Sequence, residues 1–130
     1  MLRRRASQPA TTPRRTVVVC ALGAARFAVP ADRVVELAPV AAYTPVPCED
    51  PANLGMALHR DRLVPLVDLH PRLGLGRAGP AGPPGLCLFV RSDAGEVCFP
   101  IDGVVGLAPA TDEGPGLPVL NLGAWGGFHG

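Results

Sequence analysis

The chain has 130 residues, 48% of them apolar, with 16 glycines and 16 prolines that together make about a quarter of it. That length allows one domain or two very small ones, the apolar share excludes a disordered chain, and the glycine and proline content excludes a bundle of long helices. No apolar run approaches the roughly 18 residues of a membrane-spanning helix, and the net charge of +1 hides a split between a basic start and a mildly acidic body.

Residues 1–15 (MLRRRASQPATTPRR) carry five of the twelve arginines and no acid, while the remainder holds seven arginines against eleven acids and the chain has no lysine. This start reads as an unstructured, solubilising basic tail. Arg14-Arg15 ahead of the apolar stretch Thr16 to Ala25 has the outline of a twin-arginine leader. The same stretch reads as the first strand of a repeat, however, and cleavage would remove it. The expectation is a soluble cytoplasmic protein whose four cysteines are reduced.

Residues 17–22 are β-branched and apolar, Gly23-Ala24 makes a turn, and Arg26 to Val29 runs back. The turn sets Val18 opposite Val29 and Cys20 opposite Phe27. Asp32 to Leu37 follows, then a strand-like segment Leu54 to Leu58, then Val64 to Leu69. Asp68 precedes Leu69-His70-Pro71-Arg72-Leu73, a pattern that predicts one helical turn capped by the aspartate with proline in its first turn. Gly76 to Gly85 (GRAGPAGPPG) is a connector with no capacity to pack. A second hairpin runs from Leu86 to Arg91, turns through Ser92 to Gly95 and returns along Glu96 to Phe99. It sets Arg91 opposite Glu96, Phe89 opposite Cys98 and Cys87 opposite Pro100. Pro100 removes a ladder donor and predicts an edge or a bulge there.

Each hairpin is followed by nearly the same words. Asp32-Arg33-Val34-Val35-Glu36-Leu37 matches Asp102-Gly103-Val104-Val105-Gly106-Leu107 at an offset of 70, and Val64-Pro65-Leu66-Val67-Asp68-Leu69 matches Leu117-Pro118-Val119-Leu120-Asn121-Leu122 at an offset of 53. Two matches in one order indicate an internal duplication. The second copy is 17 residues shorter between its landmarks and lacks the counterpart of Tyr43 to Arg60.

The stretch Gly55-Met56-Ala57-Leu58-His59-Arg60-Asp61-Arg62-Leu63-Val64-Pro65-Leu66-Val67-Asp68-Leu69 resembles the signature of CheW-like domains, G-h-h-N-L-R-G-x-h-h-P-h-h-D-L with h apolar. Gly55, Arg60, Pro65, Asp68 and Leu69 fall in place, as do Val34 and Glu36 in an upstream V-x-E segment, Arg72-Leu73-Gly74 after the signature, and Ile101 to Val104 in a V-D-x-V segment. Leu58-His59 stands for the usual Asn-Leu, Asp61 for the glycine after the arginine, and Asn121 for the aspartate of the second copy. The resemblance implies an all-β fold of two small SH3-like β-barrel subdomains around a shared core, with a domain over 16–125. A first unit spans about 16–75, the connector 76–85, and a reduced second unit about 86–125.

It further implies a scaffold with no catalysis and no cofactor, which couples chemoreceptor cytoplasmic tips to the regulatory domain of a CheA-like histidine kinase at arrays on the inner face of the membrane. Arg60, Val34, Glu36, Gly55 and Asp61 then become the expected partner contacts. A guanidinium fork at Arg60 suits bidentate pairing with an acidic partner residue. A degenerate member with one partner, or none, is the alternative that the shortened second copy suggests.

Other chemistry is weakly signalled. The cysteines lie 28, 39 and 11 residues apart with no C-x2-C pair, so no metal site is expected. Cys87 and Cys98 fall on a diagonal of about 7–8 Å, beyond the usual disulfide span. Asp68 and His70 share a strand face as an acid/base pair would, yet no nucleophile elbow or phosphate loop accompanies them. Six aromatic residues and an acidic body supply neither the stacking platform nor the basic groove of a nucleic-acid binder.

Overall fold

In a computed structural model the described residues are 16–46, 52–75, 84–109, 117–120 and 122. The basic tail, Cys48, most of the connector and the residues after Leu122 lie outside them. Nine strands follow in chain order among the described residues: β1 Thr16–Leu22, β2 Ala25–Pro30, β3 Val34–Val40, β4 Tyr43–Pro45, β5 Asn53–His59, β6 Arg62–Val67, β7 Gly85–Ser92, β8 Gly95–Pro100 and β9 Gly103–Pro109. They form a three-stranded sheet in the order β9-β1-β2 and a six-stranded sheet in the order β3-β7-β8-β6-β5-β4.

Both hairpins have the registers that their turns dictate: Val18 opposite Val29 and Cys20 opposite Phe27, Arg91 opposite Glu96 and Phe89 opposite Cys98. The duplication is visible in three dimensions as well. β3 pairs with β7 through Val34–Val90 and Glu36–Phe89, with a bulge between Val34 and Glu36; β9 pairs with β1 through Val104–Cys20 and Gly106–Val19, with a bulge between Val104 and Gly106. Every one of these positions is related to its counterpart by 70 residues. The second landmark behaves alike. Leu66 bridges Cys98 in parallel, and Val119 bridges Ala28 in parallel, each pair shifted by 53 and 70.

The sheets do not follow the two halves of the chain. A 3₁₀ turn at Ala31–Arg33 leads β3 away from its own hairpin and onto β7, and β9 reciprocally joins β1. Each half therefore completes the other's sheet, and the units read as 16–75 and 86–125 are interlocked. Two apolar clusters result from alternation with period two. Leu88, Val90, Val97 and Phe99 meet Val18, Cys20, Phe27 and Val29 between the sheets, where Phe27 and Phe99 lie 6.1 Å apart, tilted by 58°. Cys87, Phe89 and Cys98 point the other way, into a cluster with Val40, Ala57, Val64 and Leu66.

Val40 on β3 and Ala57 on β5 share that second cluster although three strands separate them in the sheet, so the six-stranded sheet curls strongly. It approaches an SH3-like barrel without closing one, because β3 and β5 meet through side chains and no ladder joins them. Pro100 sits on the inner strand β8, not at an edge or a bulge as its missing donor suggested. Ile101 N donates to Leu86 O at 3.0 Å, which makes the Cys87–Pro100 pair a non-hydrogen-bonded one, and the proline nitrogen faces away from β7.

After β6, Asp68 Oδ1 accepts from His70 N at 3.0 Å, the N-cap bond of a single helical turn. Leu73 N to Leu69 O at 3.0 Å closes that turn. Leu75 N to His70 O and Gly74 N to Pro71 O, with Gly74 at φ 75°, end it in a Schellman arrangement.

Candidate functional site

The β5–β6 hairpin ends in a two-residue turn, with His59 paired to Arg62 and both central residues, Arg60 at φ 52° and Asp61 at φ 63°, in the left-handed region. This is the backbone of a type I′ turn, which twists with its strands and favours Asn-Gly. Arg-Asp adopts it against a steric penalty that aspartate tolerates better than most residues. Asp61→Gly is expected to stabilise the protein by about 1 kcal/mol, read as a higher urea midpoint at unchanged slope.

The turn places Arg60 at the gap between β5 and β3. Glu36 reaches it from β3 because the bulge at Val35 aligns Glu36 with Phe89, on the side of β7 that faces the curl. Arg60 donates from Nε to Glu36 Oε2 at 2.9 Å and from Nη2 to Oε1 at 3.0 Å, a bidentate fork. His59 Nε2 lies 2.6 Å from Glu36 Oε2 and donates its proton there, since the carboxylate can only accept. The imidazole stacks on Phe89 at 4.3 Å between ring centres and 26° between planes, and Phe89 is fully buried. The gap is thus closed by side chains: Phe89 supports His59, His59 and Arg60 grip Glu36, and Arg60 remains exposed.

The hydrogen bonds from Arg60, then from His59, hold the Glu36 carboxyl down to about 2 from its ordinary 4.5. The same carboxylate pushes the Arg60 guanidinium up. A lowered folded value means that the carboxylate's contribution to stability is present above 4.5 and is lost as pH falls towards 2. Acid titration of the urea midpoint should show a decline in that window that is smaller in Glu36→Gln. An equal decline in both proteins would remove the ion pair from the account.

Of the expected contacts, Arg60, Asp61 and Glu36 come together here. Val34 begins β3 two residues from Glu36 and packs, half-buried, on the core between the sheets. Gly55 is different. It is buried at φ 149°, and a β-carbon there would stand 2.1 Å from Thr44 O and 2.8 Å from Pro45 Cα, so its role is to let β4 lie close on β5. His59 and Phe89 were not among the expected residues. Their signal was the departure Leu58-His59 from the family's Asn-Leu, together with strand alternation that puts residue 59 on the face of Gly55 and Ala57.

Several other polar side chains bind within the fold. Glu96 pairs with Arg62 across β8 and β6, through both guanidinium nitrogens. Arg91, directly opposite Glu96 in the ladder, donates instead to Asp32 O at 3.0 Å. Arg33 bonds Asp93 at 3.0 Å and Arg91 O at 3.1 Å. Asp68 and His70 do meet, with Nδ1 2.6 Å from Oδ1, and the same oxygen caps the helical turn. Cys20, Cys87 and Cys98 are unpaired and buried. Burial pushes the Cys20 thiol up to about 11, and the Cys87 hydrogen bond followed by burial pushes Cys98 up as well, so both remain thiols. Among the described residues no three His, Cys, Asp or Glu side chains could hold a metal ion, and no helix is long and apolar enough to cross a membrane.

The CheW-like domain profile matches residues 16–127. The chain belongs to the CheW-like family. This is a family of non-catalytic scaffold and adaptor domains of chemotaxis, and its profile spans both halves of the duplication. Among solved structures the chain is similar to the scaffolding protein TtCheW from Thermoanaerobacter tengcongensis, at 20% identity over 78% of this chain and 68% of that one, with a TM-score of 0.63. That likeness supports the CheW fold. A comparison with curated protein sequences finds no match.

Proposed function

We propose that this CheW-like protein is an adaptor that couples chemoreceptor cytoplasmic tips to the regulatory domain of a CheA-type histidine kinase, in the cytoplasm at receptor arrays. The observation that carries the reading is the geometry of Arg60. Its side chain is 68% exposed while Nε and Nη2 are engaged by Glu36, so the guanidinium is held at a fixed angle at the end of a hairpin that also exposes Leu58 and Leu63, at 65% and 64%. A preorganised cation on a hairpin that also exposes apolar side chains suits an acidic residue within an apolar protein interface. Val34, Glu36, Gly55 and Asp61 serve this contact by framing and orienting it. The adaptor acts by equilibrium binding, since only differential affinity for two kinase states shifts one against the other.

Isothermal titration of the full chain with the regulatory domain of a cognate CheA-type kinase tests the reading. Arg60→Ala should weaken the complex at least tenfold, about 1.4 kcal/mol. No complex with the unaltered chain, or one indifferent to Arg60→Ala, overturns it. The 17 residues by which the second copy is shorter between its landmarks favour a second reading, a module that holds only one of the two partners, and parallel titration with a receptor tip fragment separates the two.

A further inference from the structure

β9 corresponds to β3 at the offset of 70, yet the two strands end their sheets in different company. Beside β3 lies the end of the β5–β6 hairpin, where His59 and Arg60 hold Glu36. The second half has no counterpart of Tyr43 to Arg60, and Gly106 stands where β3 has Glu36. β9 ends the three-stranded sheet, so among the described residues no strand lies along its outer side. Val105 and Leu107 are 60% and 70% exposed where Val35 and Leu37 are 38% and 42%, and no residue of β9 is buried. An edge strand presents a row of unpaired N–H and C=O groups, which folded proteins guard with bulges, prolines and charge. Both strands have the bulge and the proline, at Pro39 and Pro109. Only β3 has the charge.

We propose that the outer edge of β9 pairs antiparallel with β9 of a second copy of this chain, about a two-fold axis near Gly106, so that two three-stranded sheets become one of six. Charge selects this occupant. Gly103–Pro109 carries no charged side chain, so the strand beside it must also be uncharged, since a charge set against an apolar strand is desolvated without a partner. Of the four strands that end a sheet, β3 carries Glu36, β2 carries Arg26 and is bridged by Val119, and β4 is three residues long. β9 alone is both long and uncharged, and it therefore matches itself. The charges nearest to it do not oppose the pairing. Asp102 is turned back onto Gly23 N at 2.6 Å, the antiparallel arrangement sets the two copies of Asp102 at opposite ends, and Arg26 lies two strands inward, bonded to Ala25 O. A net charge of +1 per chain brings little repulsion between copies. Side chains agree as well: pairing about Gly106 puts Val105 of each copy opposite Leu107 of the other, an apolar cross-strand pair, and puts Pro109 opposite Gly103, so that its missing donor falls at the end of the ladder. A ladder of this length buries less than the roughly 1,200 Å² of a stable interface, so the dimer is weak and reversible.

Sedimentation equilibrium of the full chain tests the proposal. The mass should rise reversibly from one chain towards two as the concentration is raised, and the backbone amides of β9 should exchange hydrogen several-fold more slowly at high concentration than at low, with those of β3 unchanged. Val105→Lys and Leu107→Lys each return a charge to the edge at an exposed position. Each should hold the protein at the mass of one chain, with its circular dichroism and its melting temperature at low concentration unaltered, while Val35→Lys on β3 should leave the dimer as it is. A mass that stays at one chain up to about 1 mM overturns the proposal, as does a dimer that both β9 variants leave intact. An unaltered chain that stays monomeric, with β9 variants that lose binding to the kinase regulatory domain, overturns it in favour of another protein as the occupant of this edge.

Discussion

Gly55→Ala is expected to destabilise the protein by about 3 kcal/mol or more, lowering the melting temperature by roughly 10 °C. Two effects add at this position. The φ of 149° is one that side-chain-bearing residues rarely adopt, and the added methyl would overlap Thr44 O at 2.1 Å, a backbone atom that cannot swing aside. Backbone strain of this kind contributes about 1–3 kcal/mol and overpacking a similar amount. Relief by moving β4 is unfavourable because Tyr43, Thr44 and Pro45 pair with Ala57, Met56 and Gly55, and Tyr43 packs on the second cluster. Differential scanning calorimetry decides the matter: a melting temperature within a degree or two of the parent would show that β4 is not held against β5. Gly103→Ala is the matched control, since a β-carbon there meets nothing within 4 Å.

Phe89→Ala should cost about 3–5 kcal/mol, the usual range for removing a fully buried phenylalanine. Phe89 is 0% exposed at the centre of the second cluster. It also carries the His59 imidazole on its face, so core and ion pair fail together in this variant. Phe89→Leu separates the two roles. It retains most of the apolar volume and should cost under about 1.5 kcal/mol, yet offers no flat ring to His59. The grip on Glu36 then loosens, and carboxyl titration followed by carbon-13 NMR should place Glu36 above its value of about 2, towards the ordinary 4.5. A Glu36 titration identical in Phe89→Leu and parent would mean that Arg60 holds the carboxylate without help from the stacked pair.

The site joins parts that are far apart in the chain and of different kinds. Residue 36 comes from an edge strand, residues 59 and 60 from a hairpin end, and residue 89 from the central core. The site's chemistry is that of a carboxylate held between a guanidinium and an imidazole in the gap between two strands. The exposed hairpin and the exposed Val35 and Leu37 on edge strand β3 give it surface with which to bind.

What the amino acids determined by themselves is local. A Gly-Ala turn after three valines and a Ser-Asp-Ala-Gly turn after Leu-Phe-Val set both hairpin registers, because register follows from where a turn lies. Asp68 two residues before His70 wrote its own N-cap, and repeated words at offsets of 70 and 53 disclosed the duplication and its shortened second copy. The family followed from ordered matches around Gly55, Arg60, Pro65 and Asp68. Tertiary structure decided everything that depends on which strand lies beside which. The exchange of β3 and β9 between halves leaves no trace in periodicity, since a strand alternates in the same way whichever neighbour it has. The bulge at Val35 aims Glu36 at His59 only once β7 is its partner, and Glu96 chooses Arg62 over the Arg91 opposite it because β6 lies on its other side. Gly55 was legible as part of the signature, but its clash with Thr44 O on the neighbouring strand β4 was not, as the need for a missing β-carbon exists only when another backbone lies close by.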